Sequence, residues 1–92
     1  MEKVAIIATI NGMRSMPGEP KPYTAWRIGI TNDPDGCKKE WAKTEEVYAW
    51  GQYPADSLED AQAIESHFID KKMKRATSSP PSGSSAVYVY IF

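Results

Sequence analysis

One carboxylate stands where a helix should be apolar. Leu58, Ala61, Ile64, Phe68, Ile69 and Met73 recur at helical spacing over residues 57–74, which predicts an amphipathic helix. At roughly 100° per residue, Glu65 falls inside that apolar arc, between Ala61 and Ile69. A buried charge costs several kcal/mol unless it is paired or bound to a metal. The partners open to it are a lysine, Arg27 or a divalent cation. Alternatively the helix is tilted, and Glu65 snorkels or bonds a backbone group. One carboxylate can hold Mg²⁺ when substrate phosphates complete the shell. His67 falls on the polar side and reads as solvated.

A second constellation lies at residues 23–31, Tyr-Thr-Ala-Trp-Arg-Ile-Gly-Ile-Thr. Trp26, Ile28 and Ile30 alternate with Arg27, Gly29 and Thr31, the period of a half-buried strand. A glycine in mid-strand often marks close approach of another group. A face of Arg27, Gly29 and Thr31 could therefore meet a ligand; the alternative is a plain strand with one small residue. Lys71, Lys72, Lys74 and Arg75 form a basic cluster, and with Lys38, Lys39 and Lys43 they could make a cationic surface for a phosphate backbone. The alternative is a solvated helix end that satisfies the macrodipole. Tyr48, Trp50, Tyr53, Tyr88 and Tyr90 could stack bases, fill a core or meet a protein. Cys37 reads as a free thiol.

These residues need elements to hold them. The apolar run at 4–10, bounded by Asn11-Gly12, predicts a strand buried on both faces. Residues 11–22, with two glycines and three prolines, predict a long flexible loop. The strand at 23–31 would pair antiparallel with the first. Asp33 suits a helix N-cap and Pro34 the first helical position, opening a short helix over 34–44 with Trp41 as its apolar anchor. A third strand is predicted at 47–53. Ser57 to Asp60 is a near capping box that opens the 57–74 helix. Residues 77–85, with five serines, two prolines and a glycine, predict a flexible loop. The last strand, 86–92, is predicted at or on a sheet edge, where it could pair across a homodimer. The expected fold is therefore α+β: a small mixed sheet with two helices, in the order β-β-α-β-α-β.

At 92 residues a single domain spanning 1–92 is expected. The net charge of −1 argues against a whole-surface electrostatic footprint for nucleic acid, while leaving room for a local basic patch. One cysteine excludes an intramolecular disulfide and fits a reducing compartment. The 4–10 run is too short to span a membrane and lacks a cleavage site, so a cytosolic protein is expected.

The order of the motifs adds a family likeness. Arg27-Ile-Gly-Ile-Thr-Asn-Asp33, a short basic helix, a strand, and then Asp60-Ala-Gln-Ala-Ile-Glu65-Ser-His-Phe-Ile69 together resemble the GIY-YIG nuclease superfamily over residues 4–74. Small phage-type members of that superfamily share the Gly/Ser-rich loop and the Tyr-rich final strand. The resemblance implies that Glu65 binds one Mg²⁺ and that Gly29 lets a phosphate come close. Arg27 falls where the second motif has its tyrosine, and no Gly-Ile-Tyr occurs in 4–10. Lys38 or Lys39 would have to replace the family arginine, and Tyr23 would have to supply the hydroxyl.

With that set incomplete, the expectation is a catalytically impaired domain. It would bind nucleic acid or a nucleotide phosphate through Arg27, Gly29, Thr31, Lys38, Lys39 and Glu65. A second expectation is a Mg²⁺-dependent endonuclease with a rearranged site of Glu65, Arg27, Tyr23 and Lys39. A third is a phage-type protein that binds a host protein through its aromatic sheet.

Overall fold

The structure is a computed structural model that describes residues 1–14, 22–44, 50–76 and 86–92. The described elements are α1 (Lys3–Arg14), a 3₁₀ turn (Tyr23–Ala25), β1 (Arg27–Thr31), α2 (Pro34–Thr44), β2 (Gly51–Ala55), α3 (Leu58–Asp70), β3 (Lys74–Arg75) and β4 (Val87–Ile91). The strands form one sheet in the order β2-β4-β1-β3. β3 runs parallel to β1, and the other two pairings are antiparallel. The α+β class with a mixed sheet is as expected, but the described residues hold three α-helices rather than two.

Residues 4–10 are helix, not strand. Their apolar residues fill a helical stripe as well as a strand: Ile6 and Ile10 are fully buried, with Ile7 and Met13 packed beside them. The stripe of 6, 10 and 13 continues through Asn11-Gly12, which therefore extends the helix instead of turning the chain. Val4, 72% exposed, faces away from the core. The partner expected for β1 at 4–10 is accordingly replaced by β4 and β3.

β4 is the second correction, because it is central rather than at an edge. It takes β1 on one side, with Gly29 opposite Tyr90, and β2 on the other, with Gln52 opposite Tyr90. Val87, Val89 and Ile91 are buried on one face of it, and that inward row is what makes a central position stable. The third strand begins at Gly51 and continues through Pro54, which was expected to end it. β2 is an edge strand among the described residues, where a proline costs no ladder bond on its open side. Residues 47–49 of the expected strand lie outside the described residues, as do 15–21 and 77–85 of the two expected loops.

The capping expectations hold. The Asp60 N–H donates to Ser57 Oγ at 3.0 Å, and the Gly36 N–H donates to Asp33 Oδ1 at 3.1 Å. α3 stops at Asp70, earlier than the expected Lys74. Lys72 turns left-handed at φ 86°, the Met73 N–H returns to the Phe68 carbonyl and the Lys72 N–H to the Ile69 carbonyl. That is a Schellman motif, closed by the apolar pair Met73 and Phe68. It frees Lys74 and Arg75 to pair with β1.

The core lies on one face of the sheet. Ile28, Ile30, Val87, Val89 and Ile91 meet Ile6 and Ile10 of α1 and Ala61, Ile64 and Phe68 of α3. α2 covers part of the other face, through Trp41 against Phe92 and Tyr90. No helix among the described residues is long and apolar enough to cross a membrane.

Candidate functional site

The face away from α1 and α3 is fixed by strand alternation and register. Arg27, Gly29 and Thr31 of β1 share it with Tyr88 and Tyr90 of β4, Gln52 and Pro54 of β2, and Lys74 of β3. Arg27 pairs with Phe92 through two backbone bonds of 2.8 and 3.2 Å, which brings Phe92 onto the same face.

The residues on this outer face are aromatic and cationic. Trp50 stacks on Tyr90, with ring centres 5.1 Å apart and planes 11° apart, and on Phe92 at 5.5 Å. Trp41 from α2 packs against Phe92 at 5.0 Å. The Arg27 guanidinium lies 5.1 Å over the Trp41 ring, a cation–π contact. Trp41, Trp50 and Phe92 are only half-buried, so their rings remain reachable.

Tyr90 is the buried centre of this face. It lies across from Gly29, and a Cβ on Gly29 would run into its ring and hydroxyl. The group that approaches the mid-strand glycine is therefore a side chain of the protein itself. Trp41 Nε1–H donates to the Tyr90 hydroxyl at 3.4 Å, and Cys37 shares a side-chain hydrogen bond with it. Burial pushes the hydroxyl well above the usual tyrosine pKa. The bond with Cys37 and the charges of Cys37 and Glu65 add to the rise, and the Trp41 donor works against it. Tyr90 stays protonated at neutral pH, the opposite of what a general base needs.

A cleft of about 410 Å³ opens beside Tyr90, lined by Cys37, Glu40, Trp41 and Thr44 of α2 together with Ala76 and Tyr90. That volume lies within the usual range for small-molecule sites. Spacings of three and four put Cys37, Glu40, Trp41 and Thr44 on one side of α2. Lys38 then flanks the Trp41 side, Lys43 flanks the Glu40 side, and Lys39 points away from the cleft.

The residues singled out in the sequence fall into separate groups. Arg27, Gly29 and Thr31 share the outer face, with Lys38 on its rim. Tyr23 is on the core side: its hydroxyl donates to Asn11 Oδ1 at 3.2 Å and its ring packs against Phe68. Thr31 Oγ1 accepts from the Asp33 N–H at 3.0 Å, which builds the turn into α2. Glu65 is buried, at 8% exposure, on the α3 side of the sheet. Its Oε1 meets Arg75 Nε at 3.6 Å, and the register of β3 places Arg75 on the core face beside Ile28. The charge on the apolar arc is thus paired, by an arginine that sequence reading had assigned only to a basic cluster.

No three His, Cys, Asp or Glu side chains come together as a metal set among the described residues. Glu65, already facing a cation, is a poor fit to the Mg²⁺ that the GIY-YIG resemblance implies. Sequence reasoning missed Glu40 and Cys37 as neighbours of one cleft. The i, i+3, i+4, i+7 spacing of Cys37, Glu40, Trp41 and Thr44 was the available signal. Compared with known family models, with curated proteins and with solved structures, the chain matches none.

Proposed function

We propose that the outer face binds single-stranded nucleic acid or a nucleotide without cleaving it. The observation that carries this reading is the Arg27 guanidinium over Trp41, beside the packed rings of Trp50, Tyr90 and Phe92. Aromatic rings reachable from solvent and flanked by cations suit unstacked bases joined to phosphate. Lys74 stands next to Arg27 in the register, and Lys38 stands on the rim of α2. A net charge of −1 favours a short ligand over a long duplex.

Hydrolysis fits the arrangement less well. The hydroxyl at the centre of the face is held protonated. Tyr23 and Glu65 lie on the other side of the sheet from Arg27 and Gly29. Kinship with the GIY-YIG nucleases would make this a member that kept a phosphate-facing strand and lost its chemistry.

The test is titration of the intact protein with short single-stranded DNA and RNA and with mononucleotides at low salt. Affinity should fall steeply as salt rises, and Trp41→Ala should weaken binding roughly tenfold to a hundredfold, the scale of one stacked base. Absence of binding at low salt would overturn the proposal and favour a protein partner on the aromatic face. Mg²⁺-dependent cutting that is lost in Glu65→Ala would overturn it in favour of a nuclease.

A further inference from the structure

We infer that the cleft beside α2 selects guanine among the bases, with Glu40 as the residue that reads it. The inference rests on the binding role proposed above and names the ligand class for the same face.

The cleft is polarised. Its Trp41 side carries cations, with Arg27 over the ring, Lys38 on the rim and Lys74 beside Arg27 in the sheet. Its other side carries Glu40, 74% exposed at the mouth and ion-paired with Lys43, so the unbalanced positive charge stands on the Trp41 side. A nucleotide is polarised in the same way, with a phosphate at one end and a base edge at the other. The phosphate belongs with the cations, which turns the base edge toward Glu40. Trp41 lines the space between them and supplies the stacking surface.

A carboxylate is an acceptor-only fork with two oxygens. It is best matched by two N–H donors side by side. The Watson–Crick edge of guanine offers that pair, N1–H and the exocyclic amine. Adenine and cytosine each set one amine beside a ring-nitrogen acceptor, which repels a carboxylate oxygen. Uracil and thymine set a single N–H between two carbonyls. Lys43 completes the pattern: its Nζ stands 3.2 Å from Glu40 Oε1, a donor beside two acceptors. Guanine presents the reverse sequence, the O6 acceptor followed by two donors. Bonds with a charged partner are roughly twice as strong as neutral ones, so the preference should be large.

Calorimetric titration of the full chain with GMP, IMP, AMP and CMP tests this. IMP keeps N1–H and lacks the exocyclic amine, so GMP should bind roughly tenfold tighter than IMP, and IMP tighter than AMP or CMP. Glu40→Gln should bring GMP down to the AMP level, while thermal unfolding of the variant reports that the exposed substitution leaves the fold intact. A pyrimidine oligonucleotide with one guanine separates the sources: stronger binding than GMP identifies single-stranded nucleic acid as the ligand, and equal or weaker binding identifies the free nucleotide. Equal affinity for GMP and AMP, or a guanine preference that survives Glu40→Gln, would overturn the assignment of Glu40 and leave the binding role standing. Absence of binding by any nucleotide or oligonucleotide would overturn both.

Discussion

On one side of the sheet, Ile28, Ile30, Val87, Val89 and Ile91 meet Ile6, Ile10, Ile64 and Phe68. On the other, Arg27, Gly29, Tyr90 and Phe92 meet Trp41 and Trp50. The two faces come from alternate residues of the same strands, β1 and β4. The first is aliphatic and closed by two helices. The second is aromatic, carries charge, and is covered only in part by one short helix with no buried residue of its own. Aliphatic side chains fill space and make no directional demand. Rings and guanidinium groups present faces that a ligand can use as well as a neighbour can. The contrast places the stabilising core on the first face, and the second is the face for which a binding role is proposed above.

Truncation should separate them most sharply. Phe68→Ala removes a fully buried ring from the closed face, and a loss of about 3–5 kcal/mol is expected in urea unfolding. In a small domain of modest stability, that comes close to unfolding the chain. Trp50→Ala removes a larger ring that is only half-buried, and its cost should fall well below that of Phe68→Ala. A Trp50→Ala loss equal to that of Phe68→Ala would mean that the outer face is a second core, and the division of labour would fail.

Gly29→Ala sharpens the contrast at the point where the outer face is tightest. Two effects of opposite sign compete. Replacing a strand glycine by alanine should stabilise by about 0.5–1 kcal/mol through chain entropy. The new Cβ, however, would overlap the Tyr90 ring, which is wedged among Trp50, Trp41 and Phe92. Overpacking of that kind costs about 1–3 kcal/mol, so a net loss is expected. In a Tyr90→Val background the obstacle is gone, and the same substitution should become neutral or stabilising. A double-mutant cycle by urea unfolding measures the coupling. Equal costs in the two backgrounds would show that Tyr90 is not what excludes a side chain at position 29.

The legible parts of the chain were those in which one period stood alone. The alternation within the expected 23–31 strand, the caps at Asp33 and Ser57, and the apolar arc of α3 each marked one period, and the structure keeps them, except that Tyr23–Ala25 form a 3₁₀ turn and the strand begins only at Arg27. Residues 4–10 allowed two. With Val4, Ala5, Ile6, Ile7, Ala8 and Ile10 all apolar, Thr9 alone is too little to mark the period, and burial of Ile6 and Ile10, with Met13 packed beside them, selects the helix. The central place of β4 depends on pairing with β1 and β2 from distant parts of the chain, which local pattern does not encode. The site divides in the same way. Arg27 and Gly29 were legible as one face of a strand. The Glu65–Arg75 pair was hidden by the left-handed turn at Lys72, which bends a basic cluster back onto the helix that precedes it.

The smallest expected difference concerns two tyrosine hydroxyls, one on each face. Tyr53 is on the core side, with its hydroxyl against Met13 Sδ at 3.5 Å, and burial raises its pKa. Tyr90 is on the outer side and is pushed up further, by burial first and then by its neighbours. An unfolded tyrosine titrates near pH ~10. Below that pH both states keep the proton and the hydroxyls impose no pH dependence. Above it the unfolded chain releases protons that the folded chain retains, so stability falls as pH rises toward the folded values. Tyr90→Phe deletes the acceptor of the Trp41 bond and should cost about 1 kcal/mol at neutral pH. It should also flatten the alkaline loss of stability more than Tyr53→Phe does, as followed by urea unfolding at a series of pH values above neutrality. If Tyr53→Phe flattened the alkaline limb more, the tighter hydroxyl would be the one in the core. The hydrogen-bonded Trp41–Tyr90–Cys37 cluster would then not be the rigid floor that the proposed binding role requires.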